Sequence, residues 1–324
     1  MAQLDCVIVG QGICGSLLAY ALHQKGKKVL IFDQGTFLSA THVAAGLLSP
    51  ISGKRLSQNQ NYEAAILKAK TFYTDIEKNL HISFFYSIQE YRAFQNNEEK
   101  AYYQKRLKNQ DYAPFLGQDS FFLGQEGVWI NGSHRLDTAV FLHHMTAYFK
   151  QHALIEKAKV KYEEFKPQAG YITYHGIKTK TVVFCEGFSV KDNPFVKGIE
   201  YRMAKGDVLT FYTPHWNSDV VFNQGKWIVP IGHHHYKCGA TYEWEKLNPI
   251  PAKTNYEELI GFLDTLNLTY HVTQVSSGVR SITHNNQPIV GAVAPQFYAL
   301  NGMGSKGLLW APYYVSLLME TLPI

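Results

Sequence analysis

The chain has little of what would place it outside the class of ordinary globular proteins. It holds four cysteines in 324 residues. These are Cys6, Cys14, Cys185 and Cys238, and no two form a CxxC pair. That usage indicates neither a zinc site nor a disulfide scaffold, and it fits a reducing cytoplasm. No apolar run reaches the ~18–20 residues that span a bilayer; the longest lies around Gly307 to Met319. The first residues, Met1 to Asp5, carry no basic cluster, so no secretory leader is expected. Charged residues are only 18%, and the formal charge of +5 is too small by itself to argue for nucleic acid, though it permits an anionic cofactor or substrate. There are no internal repeats and no low-complexity linker. What the chain does have is apolar mass: 46% hydrophobic and 14% aromatic residues. That suffices for a sizeable core in one large or two medium domains, and for aromatic-lined pockets.

The clearest pattern comes first. Cys6-Val7-Ile8-Val9 is a short apolar run of the kind that forms a buried parallel strand. Gly10-Gln11-Gly12-Ile13-Cys14-Gly15 follows at once, and a helical pattern then carries Leu17, Leu18, Ala21 and Leu22 on one face until Gly26 stops it. Val29 to Phe32 reads as a second buried strand, ending at Asp33 and Gln34. This is one βαβ unit with a G-x-G-x-x-G turn. In such a unit Gly10 permits the tight turn, Gly12 lets the backbone approach a pyrophosphate, and Gly15 lets helix and strand pack closely. Ile13 and Cys14 belong to the first helical turn, whose N–H groups and positive dipole end attract phosphate. Asp33 is placed to accept hydrogen bonds from ribose hydroxyls. A glycine-rich turn without a nucleotide is the weaker alternative, and the motif alone does not separate NAD from FAD.

Further along, Glu63 to Leu80 predicts an amphipathic helix, with Ile66, Leu67, Phe72 and Ile76 at helical spacings. Asn96 to Gln110 is polar enough to be a solvated helix or loop. Asp137 is placed to cap a helix running to about Gln151, with Val140, Phe141 and Met145 inward. Strand signals follow at Tyr171 to Tyr174, Val182 to Cys185, Val208 to Tyr212, Trp227 to Val229 and Tyr236 to Ala240, and a helix at Tyr256 to Leu266. Leu300 to Gly307 is a second glycine-rich loop before an apolar pattern. It reads either as a strand-to-helix turn, where a helix N-terminus and Lys306 would suit the negative charge of a reduced flavin, or as a helix preceded by a flexible loop. His233-His234-His235 is a polar hairpin end rather than a metal site, because successive strand residues point to opposite faces. His134-Arg135 is expected to be surface or interdomain polar structure. Lys161, Lys178 and Lys180 make a modest basic group of the kind that is usually solvated.

Together these segments resemble the D-amino-acid oxidase superfamily of FAD enzymes, in particular its glycine oxidase and sarcosine oxidase branch. The resemblance rests on Cys6 to Gly15 with Asp33, on Ala40-Thr41-His42-Val43-Ala44-Ala45-Gly46-Leu47-Leu48, and on Val182-Val183-Phe184-Cys185-Glu186-Gly187. It extends through Lys205-Gly206-Asp207-Val208, Gly239-Ala240-Thr241, Gly278-Val279-Arg280-Ser281 and Pro288-Ile289-Val290-Gly291. The loop Gly304-Ser305-Lys306-Gly307-Leu308 also resembles the oxidase half of the bifunctional tRNA 5-methylaminomethyl-2-thiouridine synthesis enzyme.

The resemblance implies an α/β fold, α+β overall: a Rossmann-type FAD-binding domain of residues 1–82, 134–196 and 276–324, with an inserted strand-rich substrate domain of residues 83–133 and 197–275. It implies FAD held by Gly10, Gly12, Ile13, Cys14, Gly15, Asp33 and Gln34. The passing segment supplies Thr41, Ala44, Ala45, Gly46 and Leu47, and the second strand region supplies Val160, Cys185, Glu186 and Gly187. At the far end Arg280, Gly302, Gly304, Ser305, Lys306 and Gly307 complete the site. The cofactor is expected to be non-covalent, since no cysteine follows Cys238. Arg280 inherits the grip on a substrate carboxylate, with Lys306 and Trp227 as further candidates beside the reacting centre. The implied chemistry is oxidation of a C–N bond in a small amine or amino acid, with a hydride passing to the flavin. A tRNA wobble-uridine oxidase and a non-catalytic flavin-binding protein are the other readings. There are three departures, the first in the second FAD strand and the other two bearing on the substrate. The family usually has Ala-Thr-Gly or Ala-Ala-Gly where Cys185-Glu186-Gly187 stands. Asn285 and Asn286 occupy a region where Asp is usual. The Gly302–Gly307 loop lacks the extra arginine of some members.

Overall fold

The computed structural model describes residues 3–35, 39–58, 61–214, 216 and 219–324. Two eight-stranded sheets dominate them. The first is built around Gln3–Val9, which lies between Val29–Asp33 and Ile177–Phe184 and runs parallel to both. Cys6, Val7 and Ile8 are fully buried, as a strand covered on both faces requires. Ile155–Lys157 extends the sheet beyond Val29–Asp33. On the other side Phe297–Asn301 runs parallel to Ile177–Phe184, and Ile289–Ala294 pairs antiparallel outside it. Segments from the start, middle and end of the chain thus share one sheet. Their parallel carboxyl ends bring Gly10, Asp33, Cys185 and Gly302 to one edge, where ligands of open α/β sheets bind.

The second sheet runs in the order His271–Arg280, Ala204–Tyr212, His235–Gly239, Lys226–Gly232, Val221–Gln224, Glu90–Ala93, Gln125–Ile130 and Leu116–Phe122. It is antiparallel except where Val221–Gln224 meets Glu90–Ala93. Leu209, Phe211, Phe222, Ile228 and Cys238 form its core, closed by Leu259 and Leu263 of the helix Lys253–Asp264. That helix begins three residues before the expected start at Tyr256. Its start is set by Asp207, buried in the strand Ala204–Tyr212, whose Oδ2 accepts from Ala252 N and Asn255 Nδ2, each at 2.9 Å.

Local rules placed the other helices well. Tyr62–Leu80 and Thr138–Gln151 form as expected, and Asp137 caps the second by accepting from Val140 N at 3.1 Å. Two expectations need correction. The polar stretch after Asn96 is a helix, Asn97–Leu107, and it is not wholly solvated. Glu99 is buried because Arg92, itself buried on the facing strand, pairs with it and donates to Gly53 O at 3.0 Å. Of the two placements expected for His134, surface or interdomain polar structure, the surface one is excluded. It lies in the strand His134–Leu136, 4% exposed, stacked on Phe85 at 5.3 Å, with Nδ1 2.8 Å from Gly132 O. The basic group is largely matched: Lys161 pairs with Glu164, Lys180 with Asp5, and Lys178 lies over the Tyr171 ring.

The C-terminal helix Gly307–Thr321 carries Pro312 in its interior. Proline has no N–H, so the carbonyl of Leu308, one turn earlier, loses its helical donor. The fully buried Tyr73, on the helix Tyr62–Leu80, supplies the missing bond: its hydroxyl donates to Leu308 O at 2.6 Å. A buried polar group left unmatched costs about 1–3 kcal/mol. Tyr73→Phe is therefore expected to lower unfolding stability by about that amount in urea denaturation. Pro312→Ala in the same background returns an N–H to Leu308 and is expected to recover most of the loss. A Tyr73→Phe protein as stable as the parent would show that this bond does not matter.

His134 generates a second expectation. Burial holds its imidazole neutral down to about pH 4, against 6.5 for an ordinary histidine. Between those values the unfolded chain binds a proton that the folded chain refuses. Stability must therefore fall as pH drops through this window, and the effect vanishes above it. His134→Gln is expected to flatten the pH dependence of stability between pH 4 and 6.5. An unchanged slope would assign the acid sensitivity to other groups.

Candidate active site

A cavity of about 1240 Å³ opens at the carboxyl ends of the first sheet and reaches the face of the second. Small-ligand pockets are usually about 300–1,000 Å³, so this one has room for a dinucleotide and a small molecule together.

Three glycines shape the dinucleotide end, each differently. Gly10 has φ +99°, and a Cβ on it would lie 2.5 Å from Cys185 O. A Cβ on Gly15 would lie 1.8 Å from Gly10 O. These two residues let the strand, the turn and the helix Ile13–Gln24 touch through bare backbone. At Gly12, with φ −74°, a Cβ would meet nothing nearer than Thr41 Oγ1 at 3.6 Å. Gly12 lines the cavity, so its missing side chain serves whatever approaches from there. The helix start has no side-chain cap and no acidic residue in its first turn, and Thr41 Oγ1 accepts only from Ile13 N. Its positive end is open to an anion. Asp33 stands beside it, with Oδ2 accepting from Gln11 N and Oδ1 from Gly35 N, each at 2.7 Å. The carboxylate is fixed at the wall with lone pairs to spare for hydroxyls. The donor set fits a pyrophosphate and a ribose.

The expected lining is largely assembled. Gly10, Gly12, Ile13, Cys14, Asp33 and Gln34 form one wall, and Thr41, Ala44, Ala45, Gly46 and Leu47 continue it. Val160, Cys185, Glu186 and Gly187 face them, and Gly304, Ser305 and Gly307 approach from the C-terminal loop. Gly15 and Gly302 support the wall without lining it. Lys306 does not line it either, and its ammonium reaches Ser52 Oγ at 3.2 Å. The unusual Glu186 is held inside the protein, accepting from Tyr162 Oη and Asn193 Nδ2, each at 2.7 Å. Burial raises its pKa. Cys14 and Cys185 lie on the wall as undissociated thiols, burial pushing Cys14 up to about 12 and Cys185 well above its usual value. His233 and His234 form the turn between two strands and His235 begins the second, and no His/Cys/Asp/Glu group suited to a metal occurs among the described residues.

At the other end Arg280 ends the strand His271–Arg280. Its Nη1 donates to Ser305 Oγ and its Nη2 to Thr241 O, each at 3.2 Å, and its guanidinium lies 4.4 Å over the Tyr242 ring. Gly206 makes room for it, since a Cβ there would lie 1.8 Å from Nη2. The fork keeps donors free for a ligand. Trp227 is on the same wall, packed on Gly239, where a Cβ would approach its ring to 3.0 Å.

Two contributors carried no sequence signal. Tyr242 sits in an irregular segment with no periodicity. Lys237 looks like an ordinary strand lysine, yet its ammonium donates to Val43 O at 3.2 Å and Ala44 O at 2.9 Å, fixing the lining segment. Burial pulls its pKa down to about 8.

The sequence pattern of the FAD dependent oxidoreductase family matches residues 5–320. Among solved structures, glycine oxidase from Geobacillus kaustophilus superposes with a TM-score of 0.80 at 18% identity, covering 99% of this chain and 95% of that one. Iminodiacetate oxidase from Chelativorans sp. BNC1 gives 0.79 at 16% identity, covering 97% and 94%. The tRNA 5-methylaminomethyl-2-thiouridine biosynthesis bifunctional protein MnmC of Idiomarina loihiensis is 24% identical over 95% of this chain and 54% of its own length. The chain thus spans about half the length of that curated relative. No helix among the described residues is long and apolar enough to cross a membrane.

The glycine geometry separates two effects. Gly12→Val is expected to lose the bound dinucleotide, because its methyls enter the cavity, and to keep the melting temperature of the cofactor-free parent. Gly15→Ala is expected to lower the melting temperature, because its Cβ collides with backbone. Thermal melts with absorption spectra measure both, and a Gly12→Val protein with full cofactor content would refute the placement. The dinucleotide is FAD, for with residues 5–320 matching its pattern this chain belongs to the family of FAD-dependent oxidoreductases.

Proposed function

We propose that the protein oxidises the C–N bond of a small amine or amino acid bearing a carboxylate, in the reducing cytoplasm, with non-covalent FAD. The observation that carries this reading is Arg280, a guanidinium with unused donors on the wall of the cavity whose opposite end has the dinucleotide geometry. In this reading residues 1–82, 134–196 and 276–324 bind the cofactor, and residues 83–133 and 197–275 enclose the substrate. FAD when bound supplies the hydride acceptor. The protein's own task is orientation. Arg280 grips the substrate carboxylate through two parallel N–H bonds. Tyr242 and Ser305 hold the guanidinium in place, and Trp227 walls the reacting carbon from water. No acid–base pair is required when the amine arrives neutral. Burial keeps the thiols of Cys14 and Cys185 protonated, which disfavours a cysteinyl link to the flavin. Lys306, joined to Ser52, is assigned to the field at the helix start rather than to contact with substrate.

A second reading, oxidation of a carboxymethylaminomethyl group on a tRNA wobble uridine, is favoured by the likeness to MnmC over 95% of this chain. It requires tRNA affinity that falls steeply with salt. A flavin protein without catalysis would show no bleaching with any amine.

A charge-assisted hydrogen bond is worth about 1.5–3 kcal/mol. Arg280→Ala is therefore expected to lower kcat/KM by roughly ten- to a few-hundred-fold, with FAD content retained. Arg280→Lys is expected to recover part of this. The loss should shrink for an amine lacking the carboxylate. Equal losses for the acid and its decarboxylated analogue, in anaerobic flavin reduction, would make Arg280 a structural residue only.

A further inference from the structure

Arg280 and Tyr242 line the cavity, and beside them, outside its lining, stand Trp244 and Arg202. Tyr242 and Trp244 stack at 6.1 Å with their planes 25° apart. Arg280 lies over the Tyr242 ring at 4.4 Å and Arg202 over the Trp244 ring at 4.9 Å. Two rings are thus flanked by two guanidinium groups, and one of each pair belongs to the cavity wall. Both rings are open to solvent, Tyr242 by 56% and Trp244 by 45%. Trp244 is the one exposed tryptophan of the five, all of which are described. A single exposed aromatic needs no explanation, but an aligned pair with arginines at its ends is a built surface.

The segment is also held. Glu243 exchanges backbone bonds with Lys205, at 2.9 and 3.0 Å. Lys205, 1% exposed, donates from its ammonium to Ile250 O, and Asp207, fully buried, accepts from Ala252 N. One strand therefore ties down both ends of residues 243–252, by backbone bonds at Glu243 and by buried charges at Ile250 and Ala252, so the rings are aimed.

We propose that Trp244, Tyr242 and Arg202 form a stacking subsite for a flat conjugated ring carried by the substrate on the side away from the oxidised C–N bond. The proposal rests on the C–N oxidation reading and narrows it, from any small amino acid to one with a ring. Arg280 takes the carboxylate, and the ring continues outward against the part of the indole that Tyr242 and Arg202 leave open. A ring covers exposed aromatic surface with the face-to-face geometry that an aliphatic group of the same size lacks. The Arg202 guanidinium adds a planar cation at the far end, suited to carbonyl oxygens on the ring edge.

The test uses the FAD-loaded protein and two probes that share the amine and the carboxylate: sarcosine and N-benzylglycine. Binding is read from the perturbation of flavin absorbance, and turnover from anaerobic bleaching. The parent protein is expected to bind N-benzylglycine about ten- to a hundredfold more tightly than sarcosine. Trp244→Ala is expected to remove most of that ratio and Arg202→Ala part of it, with melting temperatures at the parent value. Equal binding of the two probes by the parent, or a ratio retained in Trp244→Ala, would overturn the subsite. A discriminating ratio without bleaching by either probe would leave the subsite standing and overturn C–N oxidation. With 5-carboxymethylaminomethyluridine as a third probe, tighter binding than N-benzylglycine would identify the ring as a nucleobase, and weaker binding would identify it as a phenyl-like group.

Discussion

The cofactor end depends on one contact between backbones, the Cα of Gly15 against the carbonyl of Gly10. No side chain fits there, since a Cβ on Gly15 would stand 1.8 Å from that oxygen. The contact sets the angle at which the helix Ile13–Gln24 leaves the strand Gln3–Val9, and so the direction of its uncapped N-terminus. Gly10 in turn rests on Cys185 O, which joins the turn to the second strand region. Asp33 then needs no special device to reach the same wall, because its strand runs parallel to Gln3–Val9 and ends at the same level. The open helix start is shaped by chain direction and missing methyl groups more than by charged side chains.

The Arg280 end of the cavity is organised differently. Arg280 lies at the end of the strand His271–Arg280, pressed over Gly206 on the neighbouring strand and stacked on Tyr242. It binds the C-terminal loop through Ser305 and the segment after the strand His235–Gly239 through Thr241, so one side chain joins parts of both sheets at the cavity. Lys237 makes a comparable bridge from the second sheet to Val43 and Ala44. The cavity is therefore enclosed by two sheets joined by cations on carbonyl oxygens, bonds that hold geometry without filling the space between.

How much of this was legible in the sequence follows from how local each feature is. The βαβ unit was readable because each glycine acts on its immediate neighbours, and the Asp137 cap because capping spans three residues. Glu99 and His134 were not, because their burial is imposed by Arg92 and Phe85 from other elements. The start of the helix Lys253–Asp264 was misjudged because a distant carboxylate, Asp207, determines it. Lys306 sits in the loop the pattern pointed to, yet its side chain reaches Ser52, a direction that no spacing encodes. Tyr242 and Trp244 carried no signal, since an irregular segment has no period and only its ends, tied to Lys205 and Asp207, give it shape.

The central claim is that the bound flavin takes a hydride from the carbon beside the substrate nitrogen. The most direct measurement is stopped-flow bleaching of the flavin band under anaerobic conditions, comparing an N-substituted glycine with the same compound deuterated at the carbon that is oxidised. The account predicts full bleaching, slowed several-fold by deuterium. A flavin that stays oxidised with every amine acid, or one bleached at a rate indifferent to the label on either carbon next to nitrogen, would contradict it.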